Sequence, residues 1–264
     1  MPPRARARAR TYDSAVIRAA ATAQLRHVRQ AVAELDDERL GAPTRLGDWT
    51  VRELLTHVAA TVDSVARLLE TPAPPAQEAG VNDYAAAVAS FAGAVDERTR
   101  AAADGADPRA LLERAEGRFA EVAAVAPGDR LLAVPLGAMR LDDYLVTRCV
   151  ELVVHSDDLA AATGTPVPYD RQAMAAAVRM LADALAAKAP GGSVEVRIPP
   201  YAVVQCVEGP RHTRGTPPNV VETDPLTWVR LATGRTGWAE ALEAAEVSAG
   251  GERADLAAHL PVLA

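Results

Sequence analysis

Lysine is nearly absent: Lys188 stands alone beside 27 arginines in 264 residues. The bias points to a high-GC coding genome. Cysteine is scarce too, and the two present, Cys149 and Cys206, lie far apart, one in an apolar helical segment and one in an expected strand. That excludes a disulfide framework; both read as free, reduced, structural thiols of a cytoplasmic protein. No apolar run is long enough to span a bilayer. Positive charge is sparse beyond the start: the formal net charge of −7 includes Arg4, Arg6, Arg8 and Arg10, so the rest of the chain stands at −11. A body of that sign does not suit nucleic acid. The arginine-alanine start has no apolar stretch after it, so residues 1–12 read as a disordered tail rather than an export signal.

What is present is a globular composition, 49% hydrophobic and 24% charged, in a length natural for two domains. The most informative stretch runs from Leu141 to Asp158. At about 100° per residue, Leu141, Leu145, Leu152 and Leu159 share one face while Val146, Val150, Val153 and Val154 spread round the others, so the segment reads as a buried helix. One narrow polar stripe remains: Tyr144, Arg148, Glu151, His155 and Asp158, with Thr147 at its edge. Ionisable groups in such a place cost several kcal/mol, on the order of 3–5, unless paired or bound to a metal.

Glu151 and His155, at i and i+4, can reach one cation, but a catalytic site wants a third protein ligand and an open position. His57 is the best-placed third. It follows a strong helix start in which Thr50 and Glu53 form a capping box and Trp49 with Leu54 can make a hydrophobic staple. Val51, Leu54, Leu55, Val58, Val62 and Leu69 define the buried face, and His57 lies at its boundary, where a side chain can point along a cleft. Taken singly, each residue has a plainer reading: a helix-surface pair, or a structural histidine.

The chain divides by pattern. Helices are expected from about Ser14 to Asp37, Val51 to Glu70, Asp83 to Ala103, Pro108 to Val125 and Leu141 to Ala162, the last closed by Gly164. They make a bundle. After Gly164 a helix from about Arg171 to Lys188 precedes runs of period two, Val194 to Ile198, Tyr201 to Val207 and Asn219 to Thr223. The first two read as neighbouring strands across Pro199 and Pro200. Asp224 and Pro225 open a helix that runs to Gly234, and two further helical stretches, Trp238 to Ala244 and Arg253 to His259, flank a strand at Glu246 to Ser248. The expectation is a mainly α domain over 13–165 followed by a small α+β domain over 166–264.

On the Trp49 to His57 helix start and the Glu151 to His155 motif 94 residues beyond it, the chain resembles the DinB-like metalloproteins, specifically the mycothiol-dependent maleylpyruvate isomerase branch. The resemblance implies a four-helix bundle and three metal ligands, His57, Glu151 and His155, most simply to zinc, with water or a thiol cofactor in fourth place. Asp158 matches the family's aspartate after the histidine. The arginine bias fits actinobacteria, the group in which mycothiol is made. The second half resembles the sterol-carrier-like domain that accompanies such bundles, on the stretches Asp224 to Arg235 and Arg253 to Pro261. In the isomerases an arginine of that domain reaches the metal cleft and holds an anionic substrate; Arg235 is the candidate here and Arg230 the fallback. Arg235 reads equally as a helix C-terminal residue complementing the dipole.

The implied chemistry is metal activation of a thiol, whose thiolate adds to the cis double bond of a diacid; rotation and elimination leave the trans product. Arg148 and Tyr144 stand either to contact cofactor or substrate, or to satisfy Glu151. Two other classes are open. One is a carrier whose second domain binds a lipid or other apolar ligand without turnover. The other is a structural metal protein with a closed site completed by Asp158, Cys149 or His27; the helical wheel turns Cys149 about 160° from Glu151, away from the stripe.

Overall fold

The computed structural model describes residues 10–210 and 217–263. Most of the expected tail, residues 1–9, lies outside them. Arg10 donates two hydrogen bonds to Asp183 at 2.8 and 2.9 Å, and Tyr12 packs against the core.

Helix α1 (Ser14–Val32) is capped by Asp13, whose side chain accepts from Val16 N, and it buries Ile17, Ala20, Leu25, Val28 and Val32. The chain then forms the short α2 (Asp37–Leu40) rather than one long first helix. Helix α3 (Val51–Leu69) starts on the expected capping box, with Glu53 Oε2 accepting from Thr50 N at 2.9 Å. The alanine-rich stretch is broken into α4 (Val81–Ala87), a 3-10 turn over Val88–Phe91 and α5 (Ala92–Ala103). Helix α6 (Pro108–Ala123) opens on Asp107 and Pro108.

A hairpin, β1 (Leu131–Val134) with β2 (Gly137–Arg140), turns at Pro135 and Leu136 and runs straight into α7 (Leu141–Thr163). Gly137, at φ 124, is a conformation that a side chain resists. Helix α7 packs on α1, α3, α4 and the next helix, and nearly every residue from Leu141 to Leu159 is buried. Each fully buried leucine, such as Leu145 or Leu152, contributes about 1.5–3 kcal/mol. Gly164 ends α7 in the left-handed region at φ 67.

Helix α8 (Arg171–Lys188) is capped by Asp170 and serves both halves of the chain: it packs on α1 and α7 and also on strand β4 and helix α9. Strands β3 (Val194–Ile198), β4 (Ala202–Cys206), β5 (Val220–Thr223) and β6 (Val247–Gly250) form one sheet in the order β4-β3-β5-β6. The β3 pairings are antiparallel to β4 and parallel to β5. Helix α9 (Pro225–Ala232) follows β5 on the Asp224 cap, and α10 (Trp238–Glu243) precedes β6. The expected helix from Arg253 to His259 is only a 3-10 turn at Ala257–His259. The architecture is therefore a mainly helical bundle followed by a small α+β unit. Among the described residues no helix is long and apolar enough to cross a membrane.

Candidate functional site

Helices α3 and α7 bring His57, Glu151 and His155 together. One ligand atom from each lies within 4.8 Å of the others. Glu151 Oε2 is 3.3 Å from His57 Nε2 and 3.2 Å from His155 Nε2. Donors bound at about 2.1 Å around one tetrahedral cation stand roughly 3.4 Å apart, so these spacings already suit a shared ion. The imidazole rings are edge-on, with centroids 4.9 Å apart, and the Trp49 ring lies 5.3 Å from that of His57. Side-chain exposures of 14%, 17% and 10% leave the three partly buried and reachable.

The second ring nitrogen of His155, Nδ1, is 2.9 Å from Asp158 Oδ2, which aims Nε2 at Glu151. Burial works against charge on His155, yet Asp158 and Glu151 outweigh it and push its pKa up to about 9. His57 is shifted the other way by burial and stays neutral more readily. Burial also opposes ionisation of Glu151, but its bonds with His155 and His57 and the charge of Arg148 hold it well below the usual carboxylate range. The donor set is thus one hard carboxylate oxygen and two borderline imidazole nitrogens, a combination that first-row divalent ions, zinc among them, accept.

Beside this cluster lies a second one. Asp158 also accepts from Arg235 Nη2 at 2.9 Å and Nε at 3.2 Å, and from Arg45 Nε at 2.6 Å. Asp157 is held by Arg230 through two bonds of 2.7 and 3.0 Å and by Arg45 Nη2. Three arginines, one from the loop before α3 and two from the second half of the chain, therefore grip two consecutive carboxylates of α7.

Residues 18–160, just over half of the chain, match the family described as mycothiol maleylpyruvate isomerase N-terminal domain. The chain belongs to that family. Residues 170–262 match a second one, the bacterial SCP ortholog, so the isomerase-type bundle is joined to an SCP-like unit. Two uncharacterized proteins of Mycobacterium tuberculosis, Rv0738 of strain H37Rv and MT0763 of strain CDC 1551, are each 28% identical over 142 residues, which is 53% of this chain. The match spans 63% of the length of those relatives. Among solved structures, the mycothiol-dependent maleylpyruvate isomerase superposes with a TM-score of 0.58, and a histidine-to-alanine mutant of it with 0.60. Each is 16% identical and covers 90% of this chain and 93% of its own. At that identity the likeness establishes the family's two-part fold.

Within it, each residue singled out from the sequence has a definite place. Arg148 is 7% exposed and faces Tyr144, with its guanidinium carbon 4.4 Å from the ring centroid. Tyr144 Oη is 2.8 Å from Ser64 Oγ. Neither residue touches Glu151 directly. Arg235 and Arg230 sit on Asp158 and Asp157. Cys149 points the other way, its thiol 3.9 Å from the Ile17 carbonyl, and His27 buries an Nδ1 with no partner among the described residues. Neither joins the three donors, and among the described residues no fourth protein ligand does. Trp49 does more than a staple: its indole N–H donates to Asp96 at 2.6 Å.

Two residues at the site escape sequence reading. Tyr84 of α4 donates its hydroxyl to Glu151 Oε1 at 2.7 Å. Its one signal is an aromatic in an alanine-rich stretch. Arg45, in the loop before α3, has no signal at all.

Proposed function

We propose that this chain is a metal-dependent enzyme that uses a low-molecular-weight thiol, mycothiol, in an isomerase or transferase reaction on a small anionic substrate. The observation that carries the reading is the convergence of His57 Nε2, Glu151 Oε2 and His155 Nε2, with Asp158 fixing the imidazole of His155. A divalent cation held by these residues, most simply zinc, would supply Lewis-acid stabilisation of a thiolate near neutral pH.

The chain's own thiols support an external nucleophile. Burial pushes the Cys206 thiol up to about 11 and Cys149 higher still, so neither supplies thiolate at neutral pH. Glu151 brings one negative charge and the imidazoles none, which leaves room for an anionic partner. Arg235 is the candidate for the substrate's carboxylate. Among the described residues, three of its five N–H groups go to Asp158 and the Thr233 carbonyl, leaving two for an incoming anion. We assign residues 13–165 to the metal-binding bundle and 166–264 to the unit that delivers Arg235, and place the protein in the cytoplasm, where small thiols are kept reduced.

Metal-loaded protein is expected to isomerise a cis-unsaturated diacid such as maleylpyruvate, or to transfer a thiol to a related acid, only when mycothiol is added. Turnover that ignores the thiol overturns the proposal. The SCP match over 170–262 favours a second reading, a carrier of apolar ligands; saturable binding of a fatty acid by a protein with no thiol-dependent turnover would establish it instead.

A further inference from the structure

Arg148 is a buried guanidinium that, among the described residues, bonds to no carboxylate. Its bonds go to Thr147 Oγ1 at 3.1 Å and to Tyr84 Oη at 3.0 Å, and its carbon lies 4.4 and 5.6 Å from the ring centroids of Tyr144 and Tyr84. Guanidinium has donors and no acceptor. The Tyr84 oxygen must therefore accept from Arg148, and its single proton is left for the other neighbour, Glu151 Oε1, at 2.7 Å. The two carboxylate oxygens thus have separate duties: Oε1 takes the phenol, and Oε2 faces both imidazoles.

We propose that Tyr84, oriented by Arg148, is the positioning residue that makes Glu151 a one-oxygen donor aimed at His57 and His155. This rests on the metal reading above. With the phenol in place Oε1 is occupied and the carboxylate plane is fixed, so a bound cation would meet Glu151 through Oε2 alone and would keep room for an exogenous partner. Without it, Oε1 is free to swing in and close that position. Arg148 acts through Tyr84 and holds its hydroxyl in the donating orientation.

Cobalt(II) reports the difference, because its visible bands are strong in four-coordinate sites and weaken as further oxygens bind. Wild type, Tyr84→Phe and Arg148→Met are titrated with Co2+ and with Zn2+ in competition, after removal of bound metal. The expected result is a strong visible spectrum for wild type, a clearly weaker one for Tyr84→Phe, and metal binding about tenfold weaker in that variant. Arg148→Met keeps the phenol without its director and is expected to fall between the two, which preserves the test if Tyr84→Phe folds poorly. Wild-type spectrum and affinity in both variants would overturn the assignment of Tyr84 while leaving the metal site standing. Failure of wild type to bind either ion, or equal binding by His57→Ala, would overturn the metal site and the role of Tyr84 with it.

Discussion

Around Glu151 and His155 the groups that face α7 are a histidine, a tyrosine and, at one remove, a buried arginine. Immediately along the helix, around Asp157 and Asp158, they are three arginines, with the Tyr169 hydroxyl 3.4 Å from Asp157 Oδ1. Both places bury charge in the same helix, but they satisfy it differently. The carboxylates of the second are saturated by fixed cations that never lose their charge. In the first, the groups within ion-pair distance of Glu151 among the described residues are two imidazoles, of which His155 holds its proton the more firmly, and a proton is a charge that a metal can replace. The comparison separates a tie from a site: permanent cations close a cluster, whereas exchangeable ones leave it able to bind. Asp158 belongs to both, holding His155 with one oxygen while two arginines hold it.

The largest effect that would break this distinction is on metal content. His57→Ala and His155→Ala are each expected to reduce bound divalent metal from about one equivalent to a small fraction of it, measured by elemental analysis of purified protein. Asp157→Asn should leave metal content unchanged. Equal metal in all four proteins would mean that the two clusters do not differ in kind.

Next in size is stability. Asp157→Asn removes the charge gripped by Arg45 and Arg230 and leaves both guanidinium groups half-served; breaking a fully buried pair costs about 3–5 kcal/mol. These arginines are about a third exposed, so solvent screens part of that and about 2 kcal/mol is expected. Urea denaturation of metal-free protein with an unchanged slope is the measurement, and a loss within error of zero would show the arginine cluster to be ornamental.

The alkaline limb of the pH profile should belong to the first cluster alone, whereas both clusters contribute to the acid limb, because Glu151 too is held well below the usual carboxylate range. Burial disfavours the charged forms of Asp157 and Asp158, but the hydrogen bonds of the former to Arg230 and Arg45, and of the latter to His155 and Arg235, hold both below the usual carboxylate range. Their contribution is present above the unfolded value of about 3.9 and is lost as pH falls through the folded values. His155 is raised to about 9, so its contribution is complete below the unfolded value of about 6.5 and is lost as pH rises through 9. Metal-free wild type is therefore expected to lose stability on both sides. Asp157→Asn should flatten the acid limb alone, and His155→Gln the alkaline limb together with part of the acid one, since His155 also holds Glu151 and Asp158 down. An alkaline limb unchanged by His155→Gln, or flattened by Asp157→Asn, would deny the division.

How much of this was legible in the sequence depends on where each residue sits. Glu151 and His155 stand out because α7 is otherwise apolar, and His57 because Thr50 and Glu53 announce its helix. Helix α8 and the pairing of β3 with β4 follow from periodicity and the intervening prolines. Strand β2 did not declare itself, since four residues beginning with glycine carry no alternation. The break of the alanine-rich helix at Val88–Phe91 is decided by packing, as alanine tolerates either conformation. Asp157 lies off the polar stripe, about 200° round from His155. Its partners Arg45 and Arg230 are 112 and 73 residues away, a proximity that only the tertiary fold creates.

The smallest effect is the sharpest, because it compares two arginines from one short segment. Arg230 holds Asp157 and Arg235 holds Asp158, and both are partly exposed, at 33% and 18%. Either change to glutamine should cost about 1 kcal/mol of stability at most. Their effect on metal should differ. Asp158 accepts from Arg235 and holds His155 Nδ1, so loss of Arg235 loosens the carboxylate that aims a ligand, and Zn2+ binding should weaken by about threefold, below the tenfold loss typical when a direct partner of a ligand is removed. Arg230→Gln has no such connection, and its Zn2+ affinity should match wild type. If the two variants bind Zn2+ alike, Asp158 is held firmly enough by Arg45 alone, and the tie and the site are mechanically independent although they share a residue.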